Sequence, residues 1–134
     1  PTGRDAIEYA ADPGLWGGSV YTTTAAIAGT EDDLVYQSER FGDFTYRVVL
    51  SDGAYLVTLK FAEIYWNASG KRVFDVLMEG IEVIRGLDIY AAAGGNTAYD
   101  STHLVNVADG ALDVTFRSRI DNAKVSAILI QKAY

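Results

Sequence analysis

Tyr65 and Trp66 stand side by side after Glu63, just ahead of an Asn67-Ala68-Ser69-Gly70 turn. Consecutive residues of a strand point to opposite faces, so the two rings cannot both enter one core. Two further rings sit where burial is awkward: Tyr21 in the Gly- and Thr-rich stretch WGGSVYTTT, and Phe41 between Arg40 and Gly42. Loop or strand-end aromatics of this kind can stack on the apolar face of a pyranose ring, burying C–H groups at about 25 cal/mol per Å², while nearby carboxylates and amides exchange hydrogen bonds with the hydroxyls. Taken singly, each ring is equally explained as a partly buried aromatic covering one end of the fold.

Other chemistries have little to work with. The single histidine, His103, rules out histidine clusters as metal sites and leaves any Ser-His-Asp triad resting on one residue, whose default role is structural. With no cysteine there are no disulfides, thiolate metal sites or Cys nucleophile. Gly94-Gly95-Asn96 reads as a loop rather than a dinucleotide fingerprint, and no P-loop is present. A paired-carboxylate hydrolase needs two acids about 5 to 9.5 Å apart across a cleft, and nothing here singles out two. The chain therefore reads as non-enzymatic and free of cofactors. The acidic run Glu31 to Asp33 permits calcium but lacks the ligand spacing of a recognised site.

These residues must be positioned by a single domain, residues 1–134, cut from a larger protein; the length suffices to bury about two thirds of the unfolded surface. A formal net charge of -7 is the wrong sign for a nucleic-acid partner and unhelpful at an anionic membrane. No apolar run approaches the roughly 20 residues of a bilayer span, and the first residues lack the plan of a signal peptide. The dominant pattern has period two. In ALDVTFRS, Leu112, Val114 and Phe116 share one face; in AYLVTLKF, Tyr55, Val57, Leu59 and Phe61 do. TYRVVL, RVFDVLM, IEVI and KVSAILI are similar, and the turn-forming pairs Asp52-Gly53, Ser69-Gly70, Glu79-Gly80, Gly94-Gly95 and Asp109-Gly110 punctuate them. The expectation is an all-β fold, an antiparallel two-sheet β-sandwich of the jelly-roll kind, with about a turn of helix in TEDDLVYQSERF.

The segments DDLVYQSERFGDFTY, YLVTLKFAEIYWNASGKRVFDVLMEG, GLDIYAAAGG and IDNAKVSAILI resemble the malectin family in order and spacing over nearly the whole chain. The resemblance implies a β-sandwich carbohydrate-binding domain that holds oligosaccharide or polysaccharide between loop aromatics and an aspartate. Its Ala-rich, Cys-free style is similar to modules attached to bacterial glycoside hydrolases. It carries the ligand-binding role to Tyr65 and Trp66 after FAE, to Phe41 closing the YQ-x-E-R motif, to Asp121 of the DN-x-KV motif and to Tyr21. Phe41 stands where the family lectin has tyrosine and Trp66 where it has phenylalanine, so ligand preference is expected to differ. Family members open with an Asn-Ala-Gly-Gly strand upstream of Arg4; that motif is lacking here, so the first strand is either missing or supplied by other residues.

On this basis one or both of Tyr65 and Trp66 leave the core to form a sugar platform, flanked by Glu63 and Asp121 as hydrogen-bond acceptors. Asp121 has an alternative in an Asx-turn or cap with Asn122, and Glu63 in an ion pair with Lys71 or Arg72 across the turn. Asp75 and Asp88 are assigned to structure, as acceptors for backbone or arginine donors. The resemblance further implies an extracellular or cell-surface setting, where the domain accompanies other domains of a glycoside hydrolase or surface protein and targets the attached enzyme to its polymer. Two other roles stay open: a structural or protein-interaction module that keeps the fold without a sugar site, and a stand-alone hydrolase.

Overall fold

The computed structural model describes residues 6–10, 19–31 and 33–133. The segment upstream of Arg4 lies outside them, as does Asp32 of the acidic run. In chain order the elements are β1 (Ala6–Ala10), β2 (Ser19–Thr22), the helical turn α1 (Asp33–Tyr36), β3 (Ser38–Phe41), β4 (Phe44–Val49), β5 (Gly53–Phe61), β6 (Val73–Met78), β7 (Ile81–Leu87), the short helix α2 (Ile89–Ala93), β8 (Tyr99–Val107), β9 (Ala111–Ile120), β10 (Lys124–Val125) and β11 (Ala127–Lys132). Strands β1-β11-β5-β8 form one antiparallel sheet and β4-β9-β6-β7 a second.

The two sheets bury the faces that the period-two pattern marks. Tyr55, Val57, Leu59 and Phe61 of β5 meet Leu112, Val114 and Phe116 of β9 in one core, all nearly inaccessible to water. Phe61 and Phe74 cross between the sheets with ring centroids 5.7 Å apart, and Phe44 stacks on Phe116 at 4.5 Å. Full burial of each such ring contributes about 1.5–3 kcal/mol relative to exposure, which lets the domain fold without cross-links.

Turn chemistry sets the register. Glu79 and Gly80, with φ of 52° and 77°, form the two-residue connection between β6 and β7; both angles are positive, as a tight hairpin matching the strand twist requires. Glycine takes the second angle at no cost. The strained first angle at Glu79 is offset by its carboxylate, which accepts the Asp113 N–H at 2.7 Å.

Three features go beyond the expected two-sheet sandwich. A small third sheet, β10-β3-β2, carries Tyr21 and Phe41. KVSAILI is not one strand: the chain leaves the third sheet after Val125 and enters the first at Ala127, with Ser126 N–H donating to the Lys60 carbonyl at 2.8 Å between them. GLDIYAAAGG holds α2, whose N-cap Asp88 accepts from Ala91 N–H at 3.1 Å and from Gly70 N–H at 2.6 Å. Asp88 is thus structural, and so is Asp75, which accepts from Gly86 N–H at 2.8 Å and from Arg119 at 2.9 Å. His103 pairs with Ser101 Oγ at 2.8 Å.

Candidate functional site

The site is built where strand alternation stops. Phe61 enters the main core, whereas Ala62 and Ile64 enter a second apolar cluster with Ile27 and Tyr36. Glu63 lies between two buried neighbours and is itself 1% exposed. Its carbonyl accepts Asn96 N–H at 2.9 Å, which ties the segment to the loop after α2. Tyr65 is the first residue to escape, at 57% exposure.

Beyond that point the rings cluster. Tyr65 lies edge-on to both Tyr21 and Trp66, with centroids 5.4 and 4.9 Å away and interplanar angles of 86° and 88°. The surface is therefore a stepped corner of rings. Lys71 Nζ sits 5.9 Å from the Trp66 ring centroid, a cation over a π-face. Phe41, at the end of β3, is half-buried beside the same cleft, and the β9–β10 loop brings up Asp121 and Asn122. Asp121 holds φ at 56°, a conformation that Asp tolerates better than most residues. Its Oδ2 accepts the Trp66 indole N–H at 3.2 Å, so its contact across the loop is to Trp66.

Tyr21, Phe41, Tyr65, Trp66, Asp121 and Asn122 surround a cleft of about 330 Å³, with Glu39 and Arg72 also lining it. Five of the six residues expected to meet ligand thus converge on one place.

Glu63 is the correction. It does not flank the rings as a solvent-facing acceptor, because all its capacity is spent inward. Its Oε1 accepts Arg72 Nε at 2.8 Å; its Oε2 accepts the backbone N–H groups of Trp66 and Tyr65 at 3.1 and 3.3 Å and stands 3.5 Å from Lys124 Nζ. The alternative pairing across the turn is the one the fold realises, with Arg72. Glu63 thereby fixes the backbone that carries the two rings.

Arg72 also donates to the Asn122 carbonyl at 2.6 Å and lies 3.5 Å from Asp121 Oδ2, so it joins the ring loop to the Asp121 loop. Lys124, fully buried, forms a short ion pair with Glu39. Glu39, Glu63, Arg72 and Lys124 make a buried set with no net charge beneath the cleft. Burial pushes the Glu39 carboxyl above its ordinary range despite Lys124, and burial lowers the Lys124 ammonium. For Glu63 burial pushes upward too, but Lys124 and the Arg72 hydrogen bond outweigh it and hold the carboxyl below its usual value.

Sequence reasoning placed Arg72 only as a partner for Glu63 and Asn122 only as a turn partner for Asp121, and passed over Glu39 and Lys124. The available signal was slight, a lysine beginning the apolar run KVSAILI, which needs an acidic partner only if its ammonium is buried. Among the described residues no cluster of His, Cys, Asp or Glu could hold a metal ion, and no helix is long and apolar enough to cross a membrane.

The family model described as Malectin domain matches residues 2–128. Malectin-A of Xenopus laevis is 35% identical over 119 residues, which cover 76% of this chain and 43% of that protein. The chain therefore spans less than half the length of that relative. Among solved structures, a β-glucuronidase of Bacteroides uniformis superposes with a TM-score of 0.82 at 19% identity, covering 98% of this chain and 18% of the enzyme. The extracellular domain of ANXUR2 from Arabidopsis thaliana superposes with a TM-score of 0.77 at 14% identity over 86% of this chain and 39% of that one. At these identities the two structures establish the shared fold.

Proposed function

The chain belongs to the malectin family of non-catalytic, carbohydrate-binding lectin domains, and from that premise we propose that its cleft binds a short neutral, glucose-containing segment of an oligosaccharide or polysaccharide. The observation that carries this reading is the convergence of Tyr21, Phe41, Tyr65, Trp66 and Asp121 on one cleft. Tyr65 and Trp66 supply stacking faces at a right angle, so a sugar on one ring meets the edge of the other. Asp121 and the Asn122 amide supply hydrogen bonds to hydroxyls.

The volume, about 330 Å³, is at the small end of the range of about 300–1,000 Å³ found for ligand sites, which favours a chain end or a short stretch over a long polymer. Phe41 offers apolar contact without a hydroxyl, and this moves ligand preference away from that of relatives with tyrosine there. Stacking in competition with well-solvated hydroxyls puts dissociation constants in the micromolar to millimolar range, about -8 to -4 kcal/mol. Such weak binding suits a module that targets a tethered enzyme, where effective concentration offsets affinity. The Bacteroides β-glucuronidase carries this fold in 18% of its length, so the fold occurs as one part of a larger hydrolase, the kind of setting proposed here.

A glycan array followed by isothermal titration tests the reading. Saturable binding should be abolished by Trp66→Ala and by Asp121→Ala while circular dichroism shows the fold retained. Absence of binding to every neutral glycan would refute it and leave a structural or protein-interaction module, which pull-down with neighbouring domains would reveal.

A further inference from the structure

Asp121 ties the two walls of the cleft together through one of its oxygens. Oδ2 accepts the Trp66 indole N–H at 3.2 Å and faces Arg72 Nη1 at 3.5 Å. Arg72 cannot follow a moving ligand, because it is buried and held by Glu63 at 2.8 Å and by the Asn122 carbonyl at 2.6 Å. Oδ1 of Asp121 has no hydrogen bond among the described residues, and the side chain keeps 33% of its surface exposed on the cleft wall. A carboxylate offers two oxygens, each able to accept two donors. Here Oδ2 is already turned toward protein.

We propose that Trp66 determines specificity through its nitrogen as well as its ring: with Arg72 it clamps Asp121 so that Oδ1 alone meets the ligand, and the cleft accepts one sugar hydroxyl at this point rather than a vicinal pair. The inference rests on the carbohydrate reading above. With one side of Oδ2 taken by the indole N–H and the other facing the fixed Arg72 Nη1, a ligand donating two adjacent hydroxyls to both oxygens would have to displace the indole. The indole N–H, already committed to Asp121, is not available to the sugar. Platform and acceptor also move as one body, since any tilt of the ring draws on the carboxylate.

The test has two arms. Without ligand, the two tryptophan indole N–H signals are followed by nuclear magnetic resonance; Trp66→Phe identifies the relevant one, and Asp121→Gly removes the carboxylate with a residue that adopts φ 56° freely. The Trp66 signal should shift and exchange faster with water in Asp121→Gly. An unchanged signal overturns the clamp. With ligand, maltose and its monodeoxy analogues are titrated into the wild type and Trp66→Phe. In the wild type, loss of one hydroxyl should weaken binding about tenfold or more, while loss of its neighbour changes it less than about twofold; in Trp66→Phe both losses should weaken binding. Equal sensitivity to two adjacent positions in the wild type overturns the selectivity. If maltose and other neutral glycans fail to bind while the indole signal still depends on Asp121, the selectivity falls with the carbohydrate reading, whereas the clamp stands.

Discussion

Replacing Glu63 by Gln removes one negative charge from a buried set of Glu39, Glu63, Arg72 and Lys124, whose residues are 1%, 1%, 3% and 0% exposed. The set goes from balanced to carrying one excess positive charge, offset only in part by the one-third-exposed Asp121 carboxylate 3.5 Å from Arg72. Breaking a buried pair from one side costs about 3–5 kcal/mol; glutamine keeps an oxygen for the Trp66 N–H, so the lower end, about 3 kcal/mol, applies. For 134 residues at about 2.1 cal/mol/K each, the unfolding entropy at the midpoint is about 0.28 kcal/mol/K, and about 3 kcal/mol lowers Tm by about 11 °C. Thermal melts by circular dichroism at pH 7, with urea midpoints at unchanged slope, measure this directly. The deficit should shrink in acid, and its sign follows from linkage. The folded Glu63 carboxyl is held below its ordinary value of 4.5, so its contribution is complete above that pH and is lost as pH falls through the folded value, where the wild type is protonated as well. A Tm within about 2 °C of wild type at pH 7, or a deficit that grows in acid, would show that the buried set does not stabilise the cleft floor.

Asp75→Asn should lower stability by about 2 kcal/mol in urea titration, because the carboxylate serves Gly86 N–H and Arg119 from a buried position. Asp75 and Asp43 are also held below their ordinary value of 3.8. Burial pushes Asp75 upward but is outweighed by Gly86 N–H and the arginines; for Asp43 the Ser118 backbone hydrogen bond is the main cause. The wild type should therefore lose stability progressively below about pH 4, and Asp75→Asn should flatten that slope. Gly80→Ala, at φ 77°, should cost about 1–2 kcal/mol by the same assay without altering the cleft. Tyr65→Ala should leave stability within about 0.5 kcal/mol, since the ring is 57% exposed, yet weaken glycan binding at least about tenfold in isothermal titration.

The sandwich was legible because its signal is local. Leu112, Val114 and Phe116 alternate with polar neighbours, and burying them fixes which face of β9 looks inward. The third sheet was not legible, since β10 and β3 pair residues more than eighty positions apart, Lys124 with Phe41 and Val125 with Arg40, and no local pattern records such a partner. The break in KVSAILI is hidden for the same reason: Val125 and Ala127 are equally buried but belong to different sheets. In the cleft, the rings announced themselves by falling where strand alternation fails. Glu63 misled because a carboxylate beside two aromatics looks the same in sequence whether it faces a ligand or, as here, reaches down to Arg72 and Lys124. Helix α2 was obscured by its length of five residues and by the Gly94-Gly95 pair that ends it, which reads as a turn.

The most direct measurement is a titration of the isotope-labelled domain with neutral glucose-containing oligosaccharides, followed by amide and side-chain chemical shifts. Saturable shifts should concentrate on Tyr21, Phe41, Tyr65, Trp66, Asp121 and Asn122, and leave the opposite end of the sandwich, around the Glu79-Gly80 hairpin, unmoved. Shifts centred elsewhere on the surface, or none at millimolar sugar, would contradict a carbohydrate cleft at this position.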